Sequence, residues 1–412
     1  MKNIVIKENI ELPVDDETAA SVISMLTVEP DLPLSIKDNV LSFAEYTVGS
    51  LKVGDLNIEI QSRNPAFSTS ALFEMMLFES LNNFDETNTS SGFGEDYGFG
   101  FSAITSQFYL ECSKLVEFGL TGGFVTNEKV GKQITGPIVM EKFHPMNIPL
   151  NGVAFLNNEY SFDVPANQII KAALIKVSNS EQRTSIRNKY QQLLKGFGSV
   201  KEYGGNLYII DDVAAAFYSA NPHYPVVLEY AIKILKDMKM KFTHGNMEWY
   251  AFLHNSNDIF EKYVRKIVTR GLNAYITKWD TPQKIAVLDD GVRKGIKSYV
   301  PDILVDYNPN SNTAKAVLDV KNKTFDIKGN DISEILHSAD MYQLTFYCDK
   351  LKTNLGGLIY PASRQYKPIN VMIDGNQDFR FVLFSINMKE KIRQRHRNLC
   401  NDIKDYLLYY SK

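Results

Sequence analysis

The sequence predicts a multidomain protein. It reads as a mixed β/α N-terminal region over residues 1–150, a helical middle region over 151–246 and an α/β C-terminal domain over 247–412. Three observations carry this reading. A chain of 412 residues, 44% hydrophobic, is long enough for two or three domains with a large core. Between residues 165 and 238 the apolar spacing is repeatedly helical. After residue 247 helical and strand-like spacings alternate, the pattern of a mixed sheet covered by helices.

Composition excludes several classes. A net charge of −3 argues against a uniformly basic nucleic-acid binder, so such contacts must come from a local patch or a partner. Cys112, Cys348 and Cys400 are widely spaced and odd in number. They form neither a zinc pattern nor a disulfide framework, which fits a reducing cytoplasm. The start, MKNIVIKENIELPVDDE, has acids early and no apolar core, so it reads as no signal peptide. No run of about 18 apolar residues predicts a membrane span.

Residues 1–65 read mostly as strands, with Asn3–Ile6, Ser42–Val48 and Asn57–Ile60 extended and turns at Gly49 and Gly54. Residues 66–82 switch to helical spacing. Residues 83–102 hold four glycines without apolar period. They read as a surface loop, not a phosphate cradle, because no Gly-x-Gly-x-x-Gly follows a strand. Ile104–Phe118 is an amphipathic helix with Gly119 as its cap. A polar strand-like link covers 124–141. Pro165 starts a helix, followed by helices over Ser180–Leu194 and Pro225–Met238. His244, in a turn, reads as a capping residue rather than a ligand.

In the last third, Phe260, Tyr263, Val264, Ile267 and Val268 predict a helix over Asn257–Arg270. Strands follow at Lys284–Leu288, Ser298–Val305 and Ala314–Val320. A helix over Asp331–Lys350 comes next, then strands at Asn354–Tyr360, Asn370–Ile373 and Phe379–Ile386, and a long helix over Lys389–Tyr409.

The chemistry-bearing stretch is VPDILVDYNPNSNTAKAVLDVKNK, from Val300 to Lys323. Asp302 opens one strand; Asp319 and Lys321 close the next. Residues i and i+2 of a strand share a face, so Asp319 and Lys321 do. Pairing through the Asn308–Asn312 turn brings Asp302 near Asp319. Two carboxylates there suit a hard divalent cation such as magnesium. Beside them a lysine can orient water and offset negative charge. Asp306 is four residues from Asp302, ~13 Å along an extended strand, and belongs to the turn. The competing reading of Asp-x-Lys is a solvated strand face. Half-buried acids in apolar runs weigh against it, because an unpaired buried carboxylate is costly.

Val300-Pro301-Asp302, Asp319-x-Lys321-x-Lys323 and Asp340-x-Tyr342-Gln343-x-x-x-Tyr347 resemble the PD-(D/E)xK (restriction-endonuclease-like) nuclease core. More narrowly they resemble the McrC family, the nuclease subunit of the McrBC modified-cytosine restriction system. The helix NSNDIFEKYV, with Phe260, Glu261 and Val264, is similar to a family helix, as is PANQIIKAAL from Pro165. Phe118–Leu120, Val48–Gly49 and Asn57–Ile60 extend the likeness upstream. Two places depart from the pattern: Gln61-Ser62-Arg63-Asn64-Pro65 replaces a Pro-Lys pair, and Asn322 replaces an aromatic residue between the lysines.

The resemblance implies a DNA endonuclease that works with McrB, a GTP-hydrolysing AAA+ ring that reads methylated DNA, in antiviral defense. The present sequence has no Gly-x-x-x-x-Gly-Lys-Ser/Thr loop, so GTP would be bound by the partner. The ring would dock on roughly residues 1–150. Asp302, Asp319 and the Val320 carbonyl would hold Mg2+, and Lys321 would position water. Glu261 would assist, its alternative being a surface carboxylate. Gln343, Tyr347 and Lys323 would support the site or contact double-stranded DNA, the alternatives being packing for Tyr347 and a surface amide for Gln343. Arg293, Lys294, Lys297, Lys389, Lys391, Arg393, Arg395 and Arg397 are candidates for phosphate contact, or a solvated face. Two other functions stay open: a non-catalytic adaptor of the AAA+ GTPase with a relic nuclease fold, and a nuclease acting without a ring.

Overall fold

A computed structural model describes residues 2–80, 101–143, 152–181, 184–217, 221–243, 246–272, 277–278, 283–287, 295–325, 336–373 and 376–410. The chain forms two compact units: residues 1–100 with 251–412, and residues 101–250. These cut the chain differently from the three consecutive regions read from the sequence. The first hundred residues fold with the last third, and 101–150 go with the middle.

The first part of the discontinuous unit runs β1 (Lys2–Lys7), β2 (Leu12–Pro13), α1 (Asp16–Val28), β3 (Leu34–Lys37), β4 (Val40–Phe43), β5 (Thr47–Val53), β6 (Leu56–Gln61) and α2 (Thr69–Ser80). β1 lies parallel to β6, and β6 antiparallel to β5. Helix α1 is the departure from the mostly strand expectation for residues 1–65. Asp15 caps it by accepting the Thr18 N–H at 2.7 Å, and Ala19, Val22 and Met25 bury one face. Ser42–Val48 is not one strand, because Tyr46, at φ 62°, turns the chain between β4 and β5. Gly49 is no turn. It lies inside β5, at φ 137°, where a Cβ would collide with the Phe252 carbonyl. Gly54 does turn, at φ 55°.

The continuous unit holds α3 (Phe101–Phe118), β7 (Gly123–Gly131), β8 (Val153–Ser161), α4 (Pro165–Ser180), α5 (Thr184–Gly196), α6 (Ile210–Ala215), α7 (Tyr224–Asp237) and β9 (Lys239–Thr243). Helix α4 packs on α5 and α7, and α3 on α7. Ala166, Ile169, Ile170, Ala173, Leu174 and Val177 make α4 the buried centre. Its Asn167, fully buried, donates to the carbonyls of Thr121 and Phe162 and accepts from the Tyr224 hydroxyl. β7 and β8 form an antiparallel pair. β8 was hidden in the sequence because only Val153–Phe155 are buried and the polar NNEYS that follows alternates weakly. The glycine-rich stretch, but for Phe101 and Ser102, and His244 lie outside the described residues.

After β10 (Asn246–Asn255) the discontinuous unit resumes with α8 (Ser256–Gly271), β11 (Thr277–Lys278), β12 (Gln283–Val287), β13 (Gly295–Tyr299), β14 (Ile303–Val305), β15 (Ala316–Val320), α9 (Ser338–Lys350), β16 (Leu355–Ala362), β17 (Ile369–Ile373), β18 (Asn376–Asn387) and α10 (Ile392–Tyr409). The main sheet has order β11-β14-β15-β16-β18-β17. β14 and β15 pair antiparallel, whereas β15, β16 and β18 run parallel. Every side chain of β14 and β15 is buried, as expected of strands covered on both faces. Helices α8 and α9 contact β15, and α10 lies on β18. The expected strand Ser298–Val305 is two strands in two sheets. Pro301 offers no N–H to a ladder, so the chain leaves the β12–β13 pair and enters the main sheet only at Ile303. Helix α9 starts at Ser338, later than the expected Asp331.

Candidate active site

The site is built by the C-terminal end of β15, the residue before β14, and one face each of α8 and α9. In the β14–β15 register Ile303 opposes Leu318, so Asp302 and Asp319 are the next opposed pair. Asp306 sits in the left-handed region, at φ 50°, leading into the turn closed by Asn308 and Thr313.

Asp319 is 3% exposed. Lys321 Nζ lies 2.5 Å from its Oδ2, a charge-paired contact, and the Asp302 side chain also bonds this carboxyl. Burial raises the Asp319 carboxyl above the ordinary range despite the Lys321 charge. Asp302 Oδ2 accepts the Val320 N–H at 2.7 Å, and its Oδ1 lies 3.5 Å from Arg265. Burial, with the charges of Asp319 and Glu261, pushes Asp302 up to about 8. Two carboxylates here receive less positive charge from the protein than they need.

Lys321 is held from several sides. Its ammonium contacts Asp319, donates to Gln343 Oε1 at 2.7 Å and lies 3.9 Å from Asp340. Burial alone would depress it, but Asp319, Asp340 and Asp302 outweigh that and keep it above its ordinary value. It is an ammonium at neutral pH. Gln343 in turn donates to the Tyr347 hydroxyl at 2.7 Å, and Tyr347 stacks on Tyr299. Gln343 is thus no free surface amide, and Tyr347 both packs and bonds. Lys323 donates to Asp340 at 2.6 Å.

On α8, Glu261 and Arg265 are one turn apart and paired at 2.5 Å. Arg265, buried, spans from Glu261 to Asp302. Arg265 and Asp340 are the residues the roles assigned from the sequence missed. The i, i+4 spacing behind Glu261 was a usable signal for the first. The second is 6% exposed, and its acid-before-Gln343 position was visible in the pattern.

Among the described residues, no group of three or more His, Cys, Asp or Glu forms a metal cluster. No helix of the described residues is long and apolar enough to cross a membrane. Of the basic candidates, Arg395 is corrected: it is 1% exposed and cannot reach DNA. Lys389, Lys391, Arg393 and Arg397 are exposed. Arg293, Lys294 and the Lys297 side chain lie outside the described residues.

The family described as McrBC 5-methylcytosine restriction system component matches residues 43–361. The chain belongs to this McrBC family. The fold agrees with a solved chain from the refined half-complex of the tetradecameric assembly of Thermococcus gammatolerans McrB AAA+ hexamers with bound McrC. The TM-score is 0.65 at 14% identity, over 98% of this chain and 100% of that one. A chain of the cryo-EM structure of the Thermococcus gammatolerans McrBC complex also matches, with TM-score 0.45 and 15% identity, over 66% of this chain and 88% of that one. No curated protein matches this McrBC-family chain.

Proposed function

We propose that this chain is the McrC-like, magnesium-dependent DNA endonuclease subunit of a modification-dependent restriction complex, with a PD-(D/E)xK nuclease domain. It cuts double-stranded DNA together with a GTP-hydrolysing, McrB-like AAA+ hexamer, which it stimulates through its N-terminal region. The observation that carries the reading is the under-neutralised carboxylate pair beside a charged lysine at the end of β15. Family membership and the likeness to a chain solved with McrB hexamers and McrC support the partner.

The residues fit a magnesium ion. Asp319 is buried with the Lys321 ammonium beside it, and burial, with the charges of Asp319 and Glu261, raises Asp302. Asp302 and Asp319, with the Val320 carbonyl, would hold the ion as a small, all-oxygen donor set of the kind magnesium takes with water. When bound, the ion supplies charge stabilisation at the phosphate and acidifies water. Lys321, kept protonated, orients the attacking water and offsets charge on the phosphate, rather than acting as the base. Gln343 and Asp340 aim it. Arg265 holds Glu261 and Asp302 at a fixed spacing.

The test is cleavage of methylated plasmid with the AAA+ partner, GTP and magnesium. Wild type cuts; Asp319→Ala does not, yet still accelerates GTP hydrolysis. If neither protein cuts while both accelerate GTP hydrolysis, the chain is the non-catalytic adaptor.

A further inference from the structure

Two asparagines far apart in the sequence touch each other. Asn64 donates to Asn322 Oδ1 at 3.1 Å, although they lie 258 residues apart. Asn322 sits between Lys321 and Lys323, on the segment that leaves β15. Its amide also donates to Ser256 Oγ, at 3.3 Å. Ser256 is the first residue of α8, the helix that carries Glu261 and Arg265. Ser256 in turn donates to Glu8 Oε2 at 3.4 Å, and its N–H bonds the Tyr46 carbonyl. The other oxygen of Glu8 accepts from Ser62 and from the Arg63 N–H. Thr324 closes the network on Asn64 Oδ1 at 3.3 Å.

Glu8, Ser62, Asn64 and Ser256 are all buried. Polar groups in such a place hold position, because moving one leaves partners unsatisfied. The network joins three segments distant in sequence: the ends of β1 and β6, the start of α8, and the loop with both lysines. Asp302 belongs to none of them but is contacted from α8 through Arg265 and from β15 through Val320. The spacing between α8 and the end of β15 is therefore the spacing between the two halves of the candidate site.

We propose that Asn64 and Asn322 are positioning residues: their bond, with Ser256 and Glu8, sets α8 against the Lys321–Lys323 segment, so residues 2–65 are a brace for the nuclease site. This rests on the nuclease reading above, and neither residue touches DNA in it. A misplaced catalytic group slows the reaction without weakening substrate binding.

The experiment compares wild type, Asn64→Ala, Asn322→Ala and the double variant, each with the AAA+ partner, GTP, magnesium and methylated DNA. The expected result is kcat for cleavage lower by about tenfold or more in each single variant, with KM for DNA unchanged. The double variant is no worse than the worse single one, since the two act as a unit. A kcat equal to wild type in Asn322→Ala, or losses that multiply, overturns the proposal. Amide hydrogen exchange on the full chain gives a second readout. Asn64→Ala speeds exchange both at residues 320–325 and in the first turn of α8; a change confined to residues near Asn64 overturns the proposal. Should Asn64→Ala fail to fold, Asn322→Ala is judged on the same two segments. If wild type does not cut, the nuclease reading fails, while the exchange data still decide whether the brace exists.

Discussion

Two clusters in the same compact unit bury charge, and they treat it oppositely. Arg395, on α10, is almost fully enclosed. Its Nε donates to the Tyr263 hydroxyl at 2.7 Å, its Nη1 to the Met388 carbonyl at 3.0 Å, and its Nη2 to Glu74 at 2.9 Å. Tyr263 also bonds His396, and Phe78 packs on both rings. This cation has partners in every direction and ties α2, α8 and α10 together. Among the described residues at the end of β15, the acids Asp302, Asp319, Glu261 and Asp340 outnumber the cations Arg265, Lys321 and Lys323 that pair with them. A buried charge that the fold satisfies holds the fold; one left unsatisfied marks where something from outside is to bind.

The comparison breaks most sharply under substitution. Arg395→Ala removes one member of a satisfied buried pair and leaves Glu74, already raised by burial, without its cation. The expected loss of stability is about 3–5 kcal/mol, read by urea or thermal unfolding. A loss under 1 kcal/mol would erase the distinction between the two clusters.

At the site the same logic predicts a gain. Asp302 titrates at about 8 when folded, above its unfolded value of about 3.9. The folded state then holds a proton that the unfolded state has lost, so wild type loses stability as pH rises between those values. Asp302→Asn is free of that loss and keeps an oxygen for the Val320 N–H. Without magnesium, it should melt about 2–4 °C higher than wild type at pH 9 and almost equally at pH 4. A variant less stable than wild type at pH 9 would mean that the carboxylate holds the fold after all.

How much of this was legible depended on sequence distance. Asp302, Asp319 and Lys321 share one hairpin, and strand alternation with a proline-marked start was enough to assemble them. Glu261 with Arg265 needed only helical spacing. Asn64 and Glu8 gave no local signal, because their partners Asn322 and Ser256 lie more than two hundred residues away. Arg395 read as one of a run of surface cations. Its burial follows from the helix period, which places it with Ile392, Leu399 and His396 on the inner face of α10. Helix α1 was missed although Asp15 and the Ala19, Val22, Met25 spacing marked it. The break at Pro301 shows one residue dividing a stretch that alternation alone would have left continuous.

The most direct test of the central claim, that the carboxylate pair awaits a cation, is calorimetric titration of manganese as a magnesium surrogate. It is done on the full chain, wild type against Asp319→Asn. One site that wild type binds and the variant loses is the predicted result. Equal binding by both proteins, or none by wild type, would contradict it.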